Sequence, residues 1–251
     1  MRVTRAWVDL PLAPGARIAL PEAAAAHLLR VLRLREGDAC VLFNGDGHDY
    51  DARIIATGKR GGEVEVTGRR AVDNESPLRI TLLQGIARGE KMDLILQKAT
   101  ELGVARIVPL QSQRSEVRLE GARLDKRVEH WRAVVVSACE QCGRARMPQV
   151  EQPVALDAVA AATEAAALRL TLHPQGEHAL PSLAPRMPAD GAVAIAIAIG
   201  PEGGWGPRDR VQLRAAGYEG LRLGPRILRT ETAGLAAIAA LQAMYGDLGN
   251  L

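Results

Sequence analysis

The chain has 251 residues, 47% of them hydrophobic and 24% charged, with a formal net charge of +3. That is apolar material for one large domain or two modest ones, and with aromatics at only 3% the core must be filled by Leu, Val, Ile and Ala. Three cysteines exclude a disulfide scaffold, no apolar run reaches membrane-spanning length, and residues 1–20 carry Arg2, Arg5, Asp9 and Arg17 instead of a signal-peptide pattern, so composition points to a soluble, cytoplasmic protein.

Residues 1–72 alternate short strands with turns. Ala16–Leu20, Ala39–Phe43, Asp49–Ala56 and Glu63–Arg69 have period-two alternation or β-branched content, with turns at Asn44-Gly45-Asp46-Gly47 and Gly58-Lys59-Arg60-Gly61-Gly62. One helix, Glu22–Leu34, starts after Pro21 and carries Leu28, Leu29, Val31 and Leu32 as its apolar positions. Short strands with a single helix describe a small barrel. Arg30 and Arg33 share a helix face with His27, while Arg2 and Arg5 lie nearby in sequence. Such a face is either a solvated basic surface or a phosphate contact.

A linker at residues 71–77 leads into strands alternating with helices. Strand Leu78–Gln84, helix Lys91–Leu102, strand Arg106–Leu110 and a long helix from Leu124 to Cys142 come first. A short extended piece near Gln149, a helix over Asp157–Ala167 and strand Leu168–Leu172 follow. Strand Ala192–Ile199, helix Pro207–Ala216, strand Leu221–Leu223 and helix Glu231–Asp247 complete the chain. The alternation predicts an α/β domain with a mostly parallel sheet over 73–251. Cys139 and Cys142 form a lone C-x-x-C on a helix, without a second pair or a histidine at ligand spacing, so no metal site is expected.

Two glycine-rich turns stand out, each fed by a strand and each opening a helix. The first, Ile199-Gly200-Pro201-Glu202-Gly203-Gly204-Trp205-Gly206, has a carboxylate among its glycines and a helix start at Pro207. The second, Leu223-Gly224-Pro225-Arg226-Ile227-Leu228-Arg229, precedes the N-cap candidate Thr230. Strand ends that meet helix starts are where open parallel sheets bind small molecules, and two such turns predict one shared pocket. The Gly-Lys-Ser/Thr of a phosphate-binding loop is absent, and too little chain follows for a dinucleotide fold. Gln113-Arg114-Ser115 follows a strand end. Arg144 and Arg146 end a helix, where the macrodipole alone favours cations.

These residues resemble the ribosomal RNA small-subunit methyltransferase E family, knotted methyltransferases of the SPOUT class. Ile199–Gly204 and Leu223–Ala233 look like its two signature loops. His27–Arg33 with Gly37-Asp38 is similar to its PUA-like domain, and Lys91–Gly103, Gln113–Ser115 and Glu140-Gln141 with Gly143-Arg144 to its middle motifs. Cys142 departs from the small residue expected there. The resemblance implies a SPOUT-type α/β trefoil knot with a mostly parallel sheet over 73–251, plus a small PUA-like RNA-binding β-barrel over 1–72. It implies a homodimeric enzyme that uses S-adenosylmethionine to methylate N3 of one uridine in 16S ribosomal RNA.

On that footing the cofactor lies among Leu172, His173, Ile199, Gly200, Pro201, Gly203, Gly204, Leu223, Gly224, Arg226, Ile227 and Leu228. Its methylsulfonium is already activated, so no metal is needed. The neutral imide must lose a proton, so Glu202 is expected to be the base or to orient the imide, with Arg229 or Arg114 stabilising the oxyanion. Arg5, Arg30, Arg33 and Arg144 are expected to hold RNA. Action on a ribose hydroxyl or on transfer RNA, or a non-catalytic RNA-binding role, are the competing readings.

Overall fold

The structure, a computed structural model, describes residues 4–58, 61–115, 120–188 and 192–249. Arg2, and Lys59 and Arg60 of the expected turn, lie outside the described residues. Contacts divide the chain into two units, Met1–Glu75 with Val136–Met147, and Ser76–Val135 with Pro148–Leu251.

In the first unit, β1 (Arg5–Trp7), β2 (Arg17–Ala19), β3 (Ala39–Phe43), β4 (His48–Gly58) and β5 (Gly61–Ala71) form a mixed sheet in the order β1-β3-β4-β5-β2. Only β1 and β3 pair in parallel. Register shifts at Asp51/Ala52 and Ile54/Ala56 break the β4–β5 ladder, and such bulges bend long strands and increase their twist. Ala6, Val8, Leu28, Leu42, Ile54, Val64 and Val66 meet in its core. The expected helix is shorter than its apolar pattern. Helix α1 (Glu22–Ala25) widens into a π-helical turn over Ala26–Val31, where Leu32 N–H donates to the His27 carbonyl. A left-handed residue, Arg33 at φ 58°, then ends it.

In the second unit, β6 (Leu78–Gly85), α2 (Glu90–Glu101), β7 (Arg106–Gln111), α3 (Gly121–Cys142, its last turns counted with the first unit), β8 (Gln149–Val150) and β9 (Val154–Ala155) come first. Then follow α4 (Val159–Ala162), β10 (Leu168–Leu172), β11 (His178–Ala179), β12 (Val193–Ile199), α5 (Pro207–Ala215), β13 (Glu219–Arg222) and α6 (Thr230–Tyr245). The sheet is parallel throughout, in the order β11-β13-β10-β12-β6-β7-β8, with β9 beside β7. β12, in the middle, is an unbroken run of Val, Ile and Ala, as a strand covered on both faces requires. The helix expected over Asp157–Ala167 shrinks to a 3₁₀ turn at Leu156–Ala158 plus the single turn of α4. The Arg169 guanidinium donates to the carbonyl oxygens of Thr163 and Glu164, and so takes up backbone acceptors that a longer helix would use.

One close approach shapes this sheet. The connection from β10 to β11 passes over β13, and at the crossing the backbone of Gly176 lies on that of Gly220. A Cβ on Gly176 would be 2.6 Å from the Gly220 carbonyl carbon, and one on Gly220 would be 2.8 Å from the Gly176 Cα. The crossing is fixed by hydrogen bonds from Gly220 N–H to Glu177 Oε2 (2.7 Å) and from His173 N–H to the Leu221 carbonyl (3.0 Å).

Two arginines expected to hold RNA instead close the first unit. The Arg5 side chain is 10% exposed and donates to Asp49 Oδ1 (2.6 Å), the Cys139 carbonyl (2.7 Å) and the Arg144 carbonyl (3.2 Å), while its guanidinium stacks 4.5 Å from the Phe43 ring centre. Arg144 is buried and donates from Nε to Glu75 Oε1 at 3.0 Å. A guanidinium withdrawn from water needs such partners, and neither is presented to a phosphate. Burial also pushes the Cys139 thiol up to about 12, so the C-x-x-C holds no reactive thiolate at that position. Asp49→Ala would leave Arg5 buried without its carboxylate and should cost about 3–5 kcal/mol of unfolding free energy. Arg70→Ala removes the outer, half-exposed partner of the same carboxylate and should cost below about 1 kcal/mol. Urea denaturation of the two variants checks the contrast.

Candidate active site

The parallel strands of the second unit end where both glycine turns begin. Gly85, the last residue of β6, lies against Pro201: a Cβ there would be 2.5 Å from the Pro201 nitrogen, so only glycine lets the first turn sit on the strand end. Thr230, at the start of α6, joins three segments. Its hydroxyl donates to the Gly200 carbonyl at 2.6 Å and accepts from Gln84 Nε2 at 3.0 Å, and both Thr230 and Gln84 are buried. Asp209 in the first turn of α5 accepts from the N–H groups of Gly206 (2.8 Å) and Gln113 (3.1 Å), which ties the loop after β7 to the same place. Trp205 is anchored from beneath by its indole N–H on Thr171 Oγ1 at 3.0 Å.

These ties surround a cavity of about 520 Å³. Eleven of the twelve residues expected around the cofactor line it: Leu172, His173, Ile199, Gly200, Pro201, Gly204, Leu223, Gly224, Arg226, Ile227 and Leu228. The twelfth, Gly203, lies behind, its carbonyl accepting from Arg114 Nη1 at 2.9 Å. Of the expected catalytic trio, Glu202 and Arg229 line the cavity, whereas Arg114 touches the turn from outside through Gly203. Arg30 and Arg33 belong to the first unit and are exposed.

Lys91, Arg210 and Glu231 also line the cavity, with no role expected for them from the sequence; Thr230, expected as an N-cap, lines it too, but it is the first residue of α6 and the N-cap is Arg229. Lys91 lies in the first turn of α2, a helix that follows a strand end. Its ammonium lies 3.4 Å from Glu202 Oε1 and 3.9 Å from Glu231 Oε2. Glu202 Oε1 also accepts from Arg88 N–H at 3.1 Å. Burial pushes the Glu202 carboxyl up, but the N–H groups of Arg88 and of Glu202 itself, with the Lys91 ammonium, outweigh it. The group therefore ionises below the ordinary glutamate range.

The volume of the cavity lies in the range of small-molecule sites. Two carboxylates, Glu202 and Glu231, stand in its wall with four cations, Lys91, Arg210, Arg226 and Arg229, so it offers partners both to a sulfonium and to anionic groups of the same ligand. Glu231 Oε2 is buried without a hydrogen bond, with the Lys91 ammonium 3.9 Å away. Among the described residues there is no group of three or more His, Cys, Asp or Glu that could hold a metal ion, and no helix long and apolar enough to cross a membrane.

Comparison with known proteins agrees with this geometry. Residues 74–242 match the family model of an RNA methyltransferase domain, and residues 20–67 that of an RNA methyltransferase PUA domain. The chain is 30% identical over 247 residues to the ribosomal RNA small subunit methyltransferase E of Buchnera aphidicola, covering 98% of both proteins. It is similar to the crystal structure of a ribosomal RNA small subunit methyltransferase E from Neisseria gonorrhoeae bound to S-adenosyl methionine, at 38% identity and a TM-score of 0.88, covering 98% of this chain and 100% of that one. A methyltransferase from Legionella pneumophila in complex with the bound cofactor SAM gives 37% identity and a TM-score of 0.93, covering 99% and 100%.

The anchoring of Glu202 has a pH signature. A carboxyl whose folded-state pKa is depressed contributes stability that is present above its unfolded pKa and lost as pH falls through the folded one. Glu202→Gln should therefore narrow the stability gap to the unaltered chain progressively below the ordinary glutamate range, with the gap fully open at neutral pH. Thermal unfolding midpoints of the two proteins across an acid series measure it.

Proposed function

The chain belongs to the RNA methyltransferase family, and we propose that its reaction is methyl transfer from S-adenosylmethionine to N3 of a single uridine in 16S ribosomal RNA. It is an S-adenosylmethionine-dependent ribosomal RNA methyltransferase. The observation that carries the reading is the convergence of residues 172–173, 199–204 and 223–231 on one cavity with carboxylates and cations in its wall.

Bound there, the sulfonium supplies an activated methyl group. The residues of this chain deal with the other reactant. A uridine imide has no free lone pair on N3 until its proton leaves, and the charge then spreads to O2 and O4. Arg229, on the cavity wall, is the group we assign to that charge, with the Lys91 ammonium as a second donor. Glu202 accepts the N3–H hydrogen bond, orients the base and passes the N3 proton on to water as negative charge develops, its depressed pKa making it a poor final holder of that proton at neutral pH. Arg114 holds the glycine turn through the Gly203 carbonyl.

Residues 1–72 serve as the RNA-binding domain and 73–251 as the catalytic one. Exposed Arg30 and Arg33 are the phosphate contacts of the first. Arg5 and Arg144 serve its fold. The chain is knotted, in our reading. The order β13-β10-β12-β6 sends the segment after β13 back past β10 and β12 to reach α6, while the segment after β10 crosses β13 in the opposite sense. Crossing connections of this kind are what ordinary sheets avoid. The enzyme acts in the cytoplasm as a homodimer, a state supported by the exposed Val211, Met244 and Leu248 of the second unit.

Incubation with labelled S-adenosylmethionine and under-methylated small subunits, followed by nucleoside mapping, should place one label on N3 of one uridine. Label on a ribose or on transfer RNA would refute the assignment. Glu202→Gln should lower kcat by about 10²-fold or more while the affinity for S-adenosylmethionine, read by calorimetry, changes little. Equal losses in both would make Glu202 a cofactor-binding residue.

A further inference from the structure

Among the described residues, Arg33 is the only one other than glycine with a left-handed backbone. Its place is a helix end: Leu34 N–H donates to the Leu28 carbonyl six residues back, at 3.0 Å, the closure that glycine ordinarily occupies because a Cβ is strained there. The same chain uses glycine where α2, α3 and α5 end, at Gly103, Gly143 and Gly217, all at positive φ. The first unit thus keeps a costly arginine where three other helices have the cheap residue. The turn before it is π-helical, a distortion common at functional sites. Arg30, Arg33 and Arg35 are exposed, and Val31 (69% exposed) and Leu32 (42%) stand uncovered between them. The neighbouring carboxylates are engaged by backbone, Glu36 by Thr57 N–H at 3.0 Å and Asp38 by Arg35 N–H at 2.7 Å.

We propose that Arg30–Arg33 is a fixed docking tip for a single-stranded segment of ribosomal RNA: Arg30 and Arg33 grip successive phosphates, and Val31 and Leu32 cover an unstacked base. The excess of cations supplies the charge complementarity, and the uncovered pair of apolar side chains supplies a contact that a duplex backbone would not use. The proposal rests on the reading of the chain as a ribosomal RNA methyltransferase.

Arg33→Gly separates strain from contact. It should raise the thermal midpoint by about 2–4 °C, since the left-handed position no longer carries a Cβ. It should also weaken binding to deproteinised 16S ribosomal RNA several-fold and make the salt dependence of log K shallower by about 1. Val31→Ser with Leu32→Ser should weaken binding and leave that slope unchanged. An unaltered midpoint in Arg33→Gly, or unaltered affinity and slope, overturns the proposal. So does a loss seen with intact small subunits but not with bare RNA, which would put a ribosomal protein on the tip. Methyl transfer by the unaltered chain is followed in parallel, and its failure with the Arg33 dependence intact would count against the assigned reaction alone.

Discussion

The cavity wall of the second unit is tied together at one hydroxyl. Thr230 Oγ1 lies between the Gly200 carbonyl and Gln84 Nε2, and so ties the end of β12, the end of β6 and the start of α6 at one buried point. Each is a separate stretch of sequence, with 30 residues between Gly200 and Thr230 and 146 between Gln84 and Thr230. Without that tie, the two glycine turns would be loops with conformational freedom to lose whenever a ligand entered. With it, the cavity wall is ordered by folding. The close approach of Gly85 to Pro201 makes the same demand in steric form: a side chain on the strand end would push the turn off the sheet.

Arginine is used in two opposite ways. Arg5 and Arg144 are withdrawn from solvent into carboxylate and carbonyl partners, where their value lies in closing the first unit. Arg30 and Arg33 keep their charge in water on a turn built at some conformational cost. A buried cation is strongly destabilising unless paired, whereas an exposed one is nearly neutral to stability and free to meet a phosphate. The same residue type thus stands in two opposite surroundings, and substitution of the two classes has different consequences for stability.

Periodicity conveyed most of the fold. Strands such as Ala39–Phe43 and Leu168–Leu172 coincide with their expected limits, because burial on one or both faces imposes a pattern on consecutive residues. The failures share a cause in distant partners. Asp157–Ala167 reads as a helix, and only Arg169 turning back onto the Thr163 carbonyl shows why it stops. The pairing of Arg5 with Asp49 spans 44 residues and that of Arg144 with Glu75 spans 69, so no local signal marks Arg5 as structural, and Arg144 has only its place at a helix end. The candidate site was legible where it is made of glycine turns, since backbone approach dictates residue type directly. It was not legible at Lys91 and Glu231, whose membership depends on α2 and α6 beginning at the same end of the sheet.

That last placement explains the mixture of charges in the cavity. A site that holds a sulfonium and a polyanionic RNA must favour positive charge and tolerate negative charge together. Carboxylates alone would suit the donor and oppose the RNA, while cations alone would do the reverse. Lys91 between Glu202 and Glu231 forms a triad with net charge of −1, and Arg226 and Arg229 enter from the second turn. The carboxylate that is better hydrogen-bonded, Glu202, is held to the backbone of Arg88, which keeps its charge fixed in position. Glu231 Oε2 is buried without a hydrogen bond, 3.9 Å from the Lys91 ammonium. Fixed charges of both signs around one cavity need little reorganisation as charge moves through the reaction, which is the condition under which electrostatic stabilisation is most effective.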